Sequence, residues 1–180
     1  MKTEFVCIGL TNPKSTSNVG SVMRAAGCYE VDQVLYTGRR YDRAAKLTTD
    51  TKKVRIDIPL QNVESLGQEC LTASIDKDTK IVCVDLVKGA TPLPAFEHPD
   101  KAIYIFGPED NTISQEVIDK ADHVVFVPTV GCMNLAASVN VLLYDRLAKS
   151  NKANAGDELI LKSRDRNNNV KVKGLSHKRK

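Results

Sequence analysis

The stretch Ala102-Ile103-Tyr104-Ile105-Phe106-Gly107-Pro108-Glu109-Asp110-Asn111-Thr112-Ile113-Ser114 decides the fold. Its opening, Ala102 to Phe106, is an unbroken apolar run of the kind a parallel strand needs when both of its faces are covered. Gly107 permits a tight turn or the close approach of a ligand, and Glu109 and Asp110 set carboxylates ahead of a helical candidate from Ile113 to Ala121. Outward from this stretch the same handover repeats. Short runs rich in apolar, β-branched or aromatic residues stand at Phe5 to Leu10, Gln33 to Tyr36, Val54 to Ile58, Ile81 to Leu86 and His123 to Val127. Helical candidates lie at Asn18 to Cys28 and Leu60 to Ser74, and Leu135, Val139, Leu142, Leu143, Arg146 and Leu147 trace a helix from about Met133 to Lys149. The alternation predicts an α/β protein with a mostly parallel sheet flanked by helices.

Two stretches break the alternation. Thr37 to Lys53 is a polar, basic connection, longer than is usual in an α/β unit, and reads as a candidate binding loop. Val87 to Asp100 carries Gly89, Pro92, Pro94 and Pro99 and is expected to be irregular. A chain of 180 residues, 42% hydrophobic and 27% charged, is sized for one core. The expected division is a domain over residues 1–150 and a basic, flexible tail over 151–180.

The net charge of +4 is unevenly spread. Residues 1–150 hold 17 basic against 19 acidic side chains, whereas 151–180 hold 9 against 3. Within the body, Arg39, Arg40, Arg43, Lys46, Lys52, Lys53 and Arg55 face only Asp42 and Asp50. Two basic segments on an acidic body fit a polyanion partner. They fit a solvated loop and tail equally well on charge alone. No apolar run approaches the roughly 18 residues of a membrane span, and Phe5 to Leu10 is too short for a signal-peptide core, so no membrane association and a cytoplasmic location are expected. Cys7, Cys28, Cys70, Cys83 and Cys132 form an odd set with no close pair, which argues against a disulfide framework and a zinc site and reads as reduced thiols, most of them in the core; no metal is expected.

The phosphate-binding glycine motifs, the nucleophile elbow and His-rich metal spacings are absent, and His98, His123 and His177 have no evident acid-base partner. Three strand-to-helix handovers remain, at the strand ends where open α/β sheets bind ligands. In the first, Asn12 to Arg24, Ser17 or Asn18 is placed to cap a helix and offer free N–H groups to a phosphate. Arg24, nearly two turns on, is expected to align with that helix start, though on spacing alone a surface arginine on an amphipathic helix is the better fit. The second is Ile105 to Ser114. The third, Val127 to Ser138, runs through Gly131 and Cys132-Met133-Asn134 into small residues that admit close approach of a ligand or of another helix.

Together the three resemble the SpoU or TrmH-like branch of the SPOUT RNA methyltransferases. Asn18, Gly20 and Arg24 are similar to that family's opening motif, Phe106, Gly107 and Glu109 to its F-G-x-E motif, and Cys132, Met133, Asn134, Tyr144 and Asp145 to its closing motif and long helix. The resemblance spans about residues 4 to 149. It implies a C-terminal trefoil knot, S-adenosylmethionine as methyl donor, a homodimer through the knot region, and methylation of an RNA ribose 2′-hydroxyl. By the same resemblance, Leu86, Gly107, Val127, Cys132, Met133 and Asn134 bind the cofactor, while Arg24, Asn18 and Asn134 are catalytic, Asn18 and Arg24 at the reacting ribose and phosphate.

Arg39, Arg40, Arg43, Lys46, Lys52 and Lys53 are the expected RNA contacts. Transfer RNA is the expected substrate of so short a member without a separate N-terminal RNA-binding domain, with ribosomal RNA as the alternative. Cys132 stands where relatives usually have serine, Thr112 where glycine is common, and the link from Pro128 to Asn134 is a few residues shorter. These departures frame the alternative of a non-catalytic RNA-binding relative with a degenerate cofactor loop. A further alternative is an unrelated α/β protein that binds a small nucleotide.

Overall fold

The computed structural model describes residues 4–47, 58–66, 78–153 and 156–172. Its centre is a sheet of seven strands: β1 (Phe5–Leu10), β2 (Gln33–Tyr36), β3 (Leu60–Asn62), β4 (Lys80–Val84), β5 (Thr91–Pro92), β6 (Lys101–Phe106) and β7 (His123–Phe126). They lie in the order β3-β2-β1-β6-β4-β7-β5, and every pair is parallel. The register aligns the strand ends, with Leu10 opposite Phe106, Phe106 opposite Val84, and Val84 opposite Val125. The C-terminal end of the sheet therefore carries all three handovers, those after β1 and β6 side by side and that after β7 one strand further, beyond β4.

The unbroken apolar runs are explained by two layers of core. Ile8, Leu10, Val82, Tyr104 and Phe106 pack on one side with helices α1 (Thr16–Cys28) and α4 (Leu135–Ala148), which also pack against each other. Cys7, Cys83, Ile103 and Ile105 pack on the other side with Leu66, Ile113 and the partly buried Val117. Strand residues of both parities are thus buried, as a doubly covered parallel sheet requires. Helix α3 (Gln115–Asp119) belongs to this second layer, which buries none of its residues completely.

Several expectations need correction. The basic connection after β2 is not a plain loop, because α2 (Arg40–Leu47) forms within it. Asp42 holds α2 to the sheet by accepting from the Tyr36 hydroxyl at 2.6 Å and from Asn62 Nδ2 at 3.0 Å, and Tyr41 packs edge-on against Tyr36. The helix expected from Leu60 instead begins as β3, paired with β2, while residues 67–74 of that expectation lie outside the described residues. The strand expected at Val54 to Ile58 falls outside them except for Ile58. Cys7 and Cys83 are core residues, but Cys28 and Cys132 are exposed, and Cys70 is outside the described residues.

The basic segment after residue 150 has local structure where described. It contains α5 (Asp157–Ser163), with Asp157 and Glu158 in its first turn and Lys162 in its last, an arrangement that complements the helix dipole. Its Leu159, Ile160 and Leu161 are exposed.

Candidate active site

The cap of α1 is Ser15, not Ser17 or Asn18. The Ser15 hydroxyl accepts from Asn18 N at 3.3 Å, and this cap leaves the Asn18 side chain free for other work. Asn134 caps α4, its Oδ1 accepting from Ala136 N at 2.9 Å and Ala137 N at 3.3 Å. Those two bonds fix which end of the Asn134 amide is the oxygen, so its Nδ2 donates to Asn18 Oδ1 at 2.9 Å. The orientation of Asn18 follows in turn, with its own NH2 group left without an acceptor among the described residues. A hydrogen bond spanning 116 residues of sequence thus joins the first handover to the third.

The second handover is held from both sides. Glu109 Oε1 accepts the backbone N–H groups of Lys14 and Ser15, each at 3.0 Å, and so ties the approach to α1 to the loop after β6. Asp85, at the end of β4, accepts from Ile113 N at 2.9 Å with one oxygen and from Leu86 N at 2.8 Å with the other. A Cβ on Gly107 would stand 3.0 Å from Asp85 Oδ2 and 3.3 Å from Ile113 N, a crowded position that glycine relieves. In the third loop, Thr129 N donates to Val127 O at 2.8 Å and Thr129 Oγ1 to Gly131 O at 2.8 Å.

Between these loops lies a cleft of about 520 Å³. Asn18, Leu86, Gly107, Val127, Cys132, Met133 and Asn134 all line it, which brings together every expected cofactor residue and two of the three expected catalytic ones. Arg24 is not among its lining. At 100° per residue, six positions leave Arg24 roughly 120° around the helix from Asn18, so the expected alignment does not hold. Arg24 is exposed, with no ion pair among the described residues.

Arg39 and Arg43 are exposed, whereas Arg40 is engaged: its Nη1 and Nη2 donate to Asp110 Oδ1 and Oδ2 at 3.0 and 2.8 Å. Lys52 and Lys53 lie outside the described residues, and Lys46 lies on α2. Sequence reasoning missed Asp85 and the Arg40–Asp110 pair. Asp85 had a readable signal, as a carboxylate directly after an apolar strand; the pair, 70 residues apart, had none. No group of side chains suited to a metal ion occurs among the described residues, and no described helix is long and apolar enough to cross a membrane.

At the opposite end of the sheet His98 does have partners, contrary to expectation. Its Nε2 lies 2.9 Å from Asp145 Oδ2 and its Nδ1 2.8 Å from the Tyr104 hydroxyl, which accepts from Arg146 Nη1 at 2.9 Å. Lys149 Nζ adds 2.7 Å to Asp145 and bonds to the carbonyls of Leu93 and Phe96. This network fastens the end of α4 to the proline-rich segment.

A parallel α/β sheet with a cleft closed by three strand-end loops defines a ligand-binding protein of the open-sheet class. The profile of the SpoU rRNA Methylase family matches residues 6–144, and the chain belongs to that family. Solved structures share the fold at low identity. The SpoU methyltransferase AviRb from Streptomyces viridochromogenes, in complex with AdoMet, is 19% identical with a TM-score of 0.64, covering 82% of this chain and 58% of its own. The A. aeolicus TrmH/SpoU tRNA modifying enzyme is 16% identical with a TM-score of 0.63, covering 90% and 85%. A structure described as giving insights into 2-OH methylation of C/U34 on tRNA is 18% identical with a TM-score of 0.62, covering 79% and 89%. The chain thus spans a little over half the length of AviRb and most of the other two. Curated protein sequences give no match.

Proposed function

We propose that this protein transfers a methyl group from S-adenosylmethionine to the 2′-hydroxyl of an RNA ribose, in tRNA rather than rRNA. The observation that carries the reading is the convergence of Asn18, Gly107 and Asn134, one from each handover, on a single cleft. Its volume is that of an ordinary cofactor pocket, and Gly107 and the exposed Leu86 leave backbone open to a ligand, so the residues fit the donor. Leu86, Gly107, Val127, Cys132, Met133 and Asn134 would hold it. When bound, the donor supplies an electrophilic methyl carbon on a sulfonium.

The chain's part is orientation and charge. The free amide NH2 of Asn18 is set to hold a ribose or phosphate oxygen at the cleft mouth. A guanidinium is a poor proton acceptor, so Arg24 clamps the RNA phosphate and stabilises the developing alkoxide, while a phosphate oxygen or water takes the proton. Because Arg24 is outside its own cleft, it acts in this reading at the cleft of a second copy. A homodimer is supported by Val141 and Tyr144, 38% and 63% exposed on α4 beside α1. A trefoil knot is supported by the strand order: β7 lies between β4 and β5, which are consecutive in the chain, so the link between them has to pass around β7. Arg39 and Arg43 supply phosphate contacts that salt weakens.

The test is transfer of labelled methyl to tRNA and rRNA, with ribose methylation mapped. The parent should modify tRNA, and Arg24→Ala should bind donor yet lose about a hundredfold or more in turnover. Arg24→Ala turning over at the parent rate would sink the mechanism. Absence of donor binding in calorimetry would favour the non-catalytic alternative.

A further inference from the structure

In the sheet, β1 lies between β2 and β6, so any contact from α2, which follows β2, to the loop after β6 has to cross the C-terminal end of β1. Arg40 makes that crossing. Its two bonds to Asp110 run in the parallel fork geometry that suits a carboxylate best. Hydrogen bonding from Arg40 holds the Asp110 carboxyl below the usual carboxylate range. The adjacent Glu109 holds Lys14 and Ser15, so two neighbouring carboxylates fasten both the approach to α1 and the start of α2 to one loop. That loop also lines the cleft. With Arg40 spent on Asp110, Arg39 and Arg43 are the exposed arginines beside it, without ion pairs among the described residues.

We propose that Arg40 is a positioning residue and not a phosphate ligand: the Arg40–Asp110 clasp holds α2 so that Arg39 and Arg43 meet the RNA backbone beside the cleft. This rests on the RNA-binding reading above. It makes a prediction opposite in sign to simple electrostatics. Removing the negative charge of Asp110 should strengthen RNA binding if Arg40 were a ligand held back by it, and should weaken binding if the clasp orients α2.

The measurement is the affinity of the full chain for a fluorescein-labelled, unmodified tRNA transcript, by anisotropy across a salt series without methyl donor. Asp110→Ala and Arg40→Gln should each weaken binding about threefold to fivefold, the effect expected of an exposed pair. The double variant should be no weaker than either single one. Arg40→Gln should keep the parent salt dependence, since Arg39 and Arg43 still reach the phosphates once bound and the loss is the cost of ordering α2. Tighter binding by Asp110→Ala, or a salt slope lowered by about one contact in Arg40→Gln, overturns the proposal. A parent that does not bind tRNA overturns the RNA reading and the role given to Arg39 and Arg43. Amide hydrogen exchange in α2 then decides the clasp alone: Asp110→Ala speeds it if the clasp holds the helix, and unchanged exchange rejects it.

Discussion

Asn134 uses one amide for two tasks, and they can be separated chemically. Its oxygen caps α4 and its nitrogen holds Asn18. An aspartate at this position keeps both oxygen contacts to the helix and adds a favourable charge at a helix start, but cannot donate to Asn18. Asn134→Asp should therefore melt at or above the parent temperature while methyl transfer falls, whereas Asn134→Ala should lose about 1 kcal/mol of stability as well. Thermal melts and turnover measured on the same preparations check this.

His98 yields a second residue-scale prediction. Its side chain is 5% exposed, and burial pushes its pKa below the usual 6.5 despite the hydrogen bond to Asp145. The groups facing it are Tyr104, Asp145, Arg146 and Lys149, with the rings of Phe96 and Tyr104 edge-on. A proton arriving on Nδ1 would turn the hydroxyl of Tyr104 away from its acceptor in a buried place. The unfolded chain takes up that proton more readily than the folded one, so the stabilisation is fully present above about pH 6.5 and is lost as pH falls through the lowered value. Melting temperature should drop below pH 6.5 in the parent and drop less steeply in His98→Gln.

At the scale of elements, the loop after β6 is held by its closeness to β4. A Cβ on Gly107 has to displace Asp85 or Ile113, the two ends of one hydrogen bond. Gly107→Ala should cost about 1–3 kcal/mol and weaken donor binding in calorimetry more than it weakens RNA binding. Elements built on apolar runs were legible in sequence: β1 and β2 begin and end where their residues predict, because burial on both faces keeps all but their first residues apolar and buried. Helix α2 and strand β3 were not. Each is polar along most of its length and is held by partners that no local pattern announces, Asp42 by Tyr36 and Asn62, and β3 by β2. The candidate site divides the same way. Its loop residues follow from strand ends and family motifs, but the Arg40–Asp110 pair beside it, and the His98–Asp145 pair at the other end of the sheet, join positions 70 and 47 residues apart, a separation only the folded sheet closes.

For the whole molecule, α1 and α4 bury their inner sides against the sheet and leave Val141 and Tyr144 outward. Charging that surface tests the dimer: Tyr144→Asp should sediment as a monomer, keep its fold, and lose turnover together with Arg24→Ala, while mixing the two variants restores nothing if the interface is gone. The position of β7 has a kinetic consequence. β1 pairs with β6 and β7 with both β4 and β5, so the sheet closes only through contacts far apart in sequence, and its last member has to enter between two strands already joined by a short link. During synthesis, the ribosome delivers β7 and α4 after the remainder of the sheet has emerged. Refolding of the full-length chain from denaturant should accordingly be slow, on a timescale set by insertion of this final segment and not by collapse of the core.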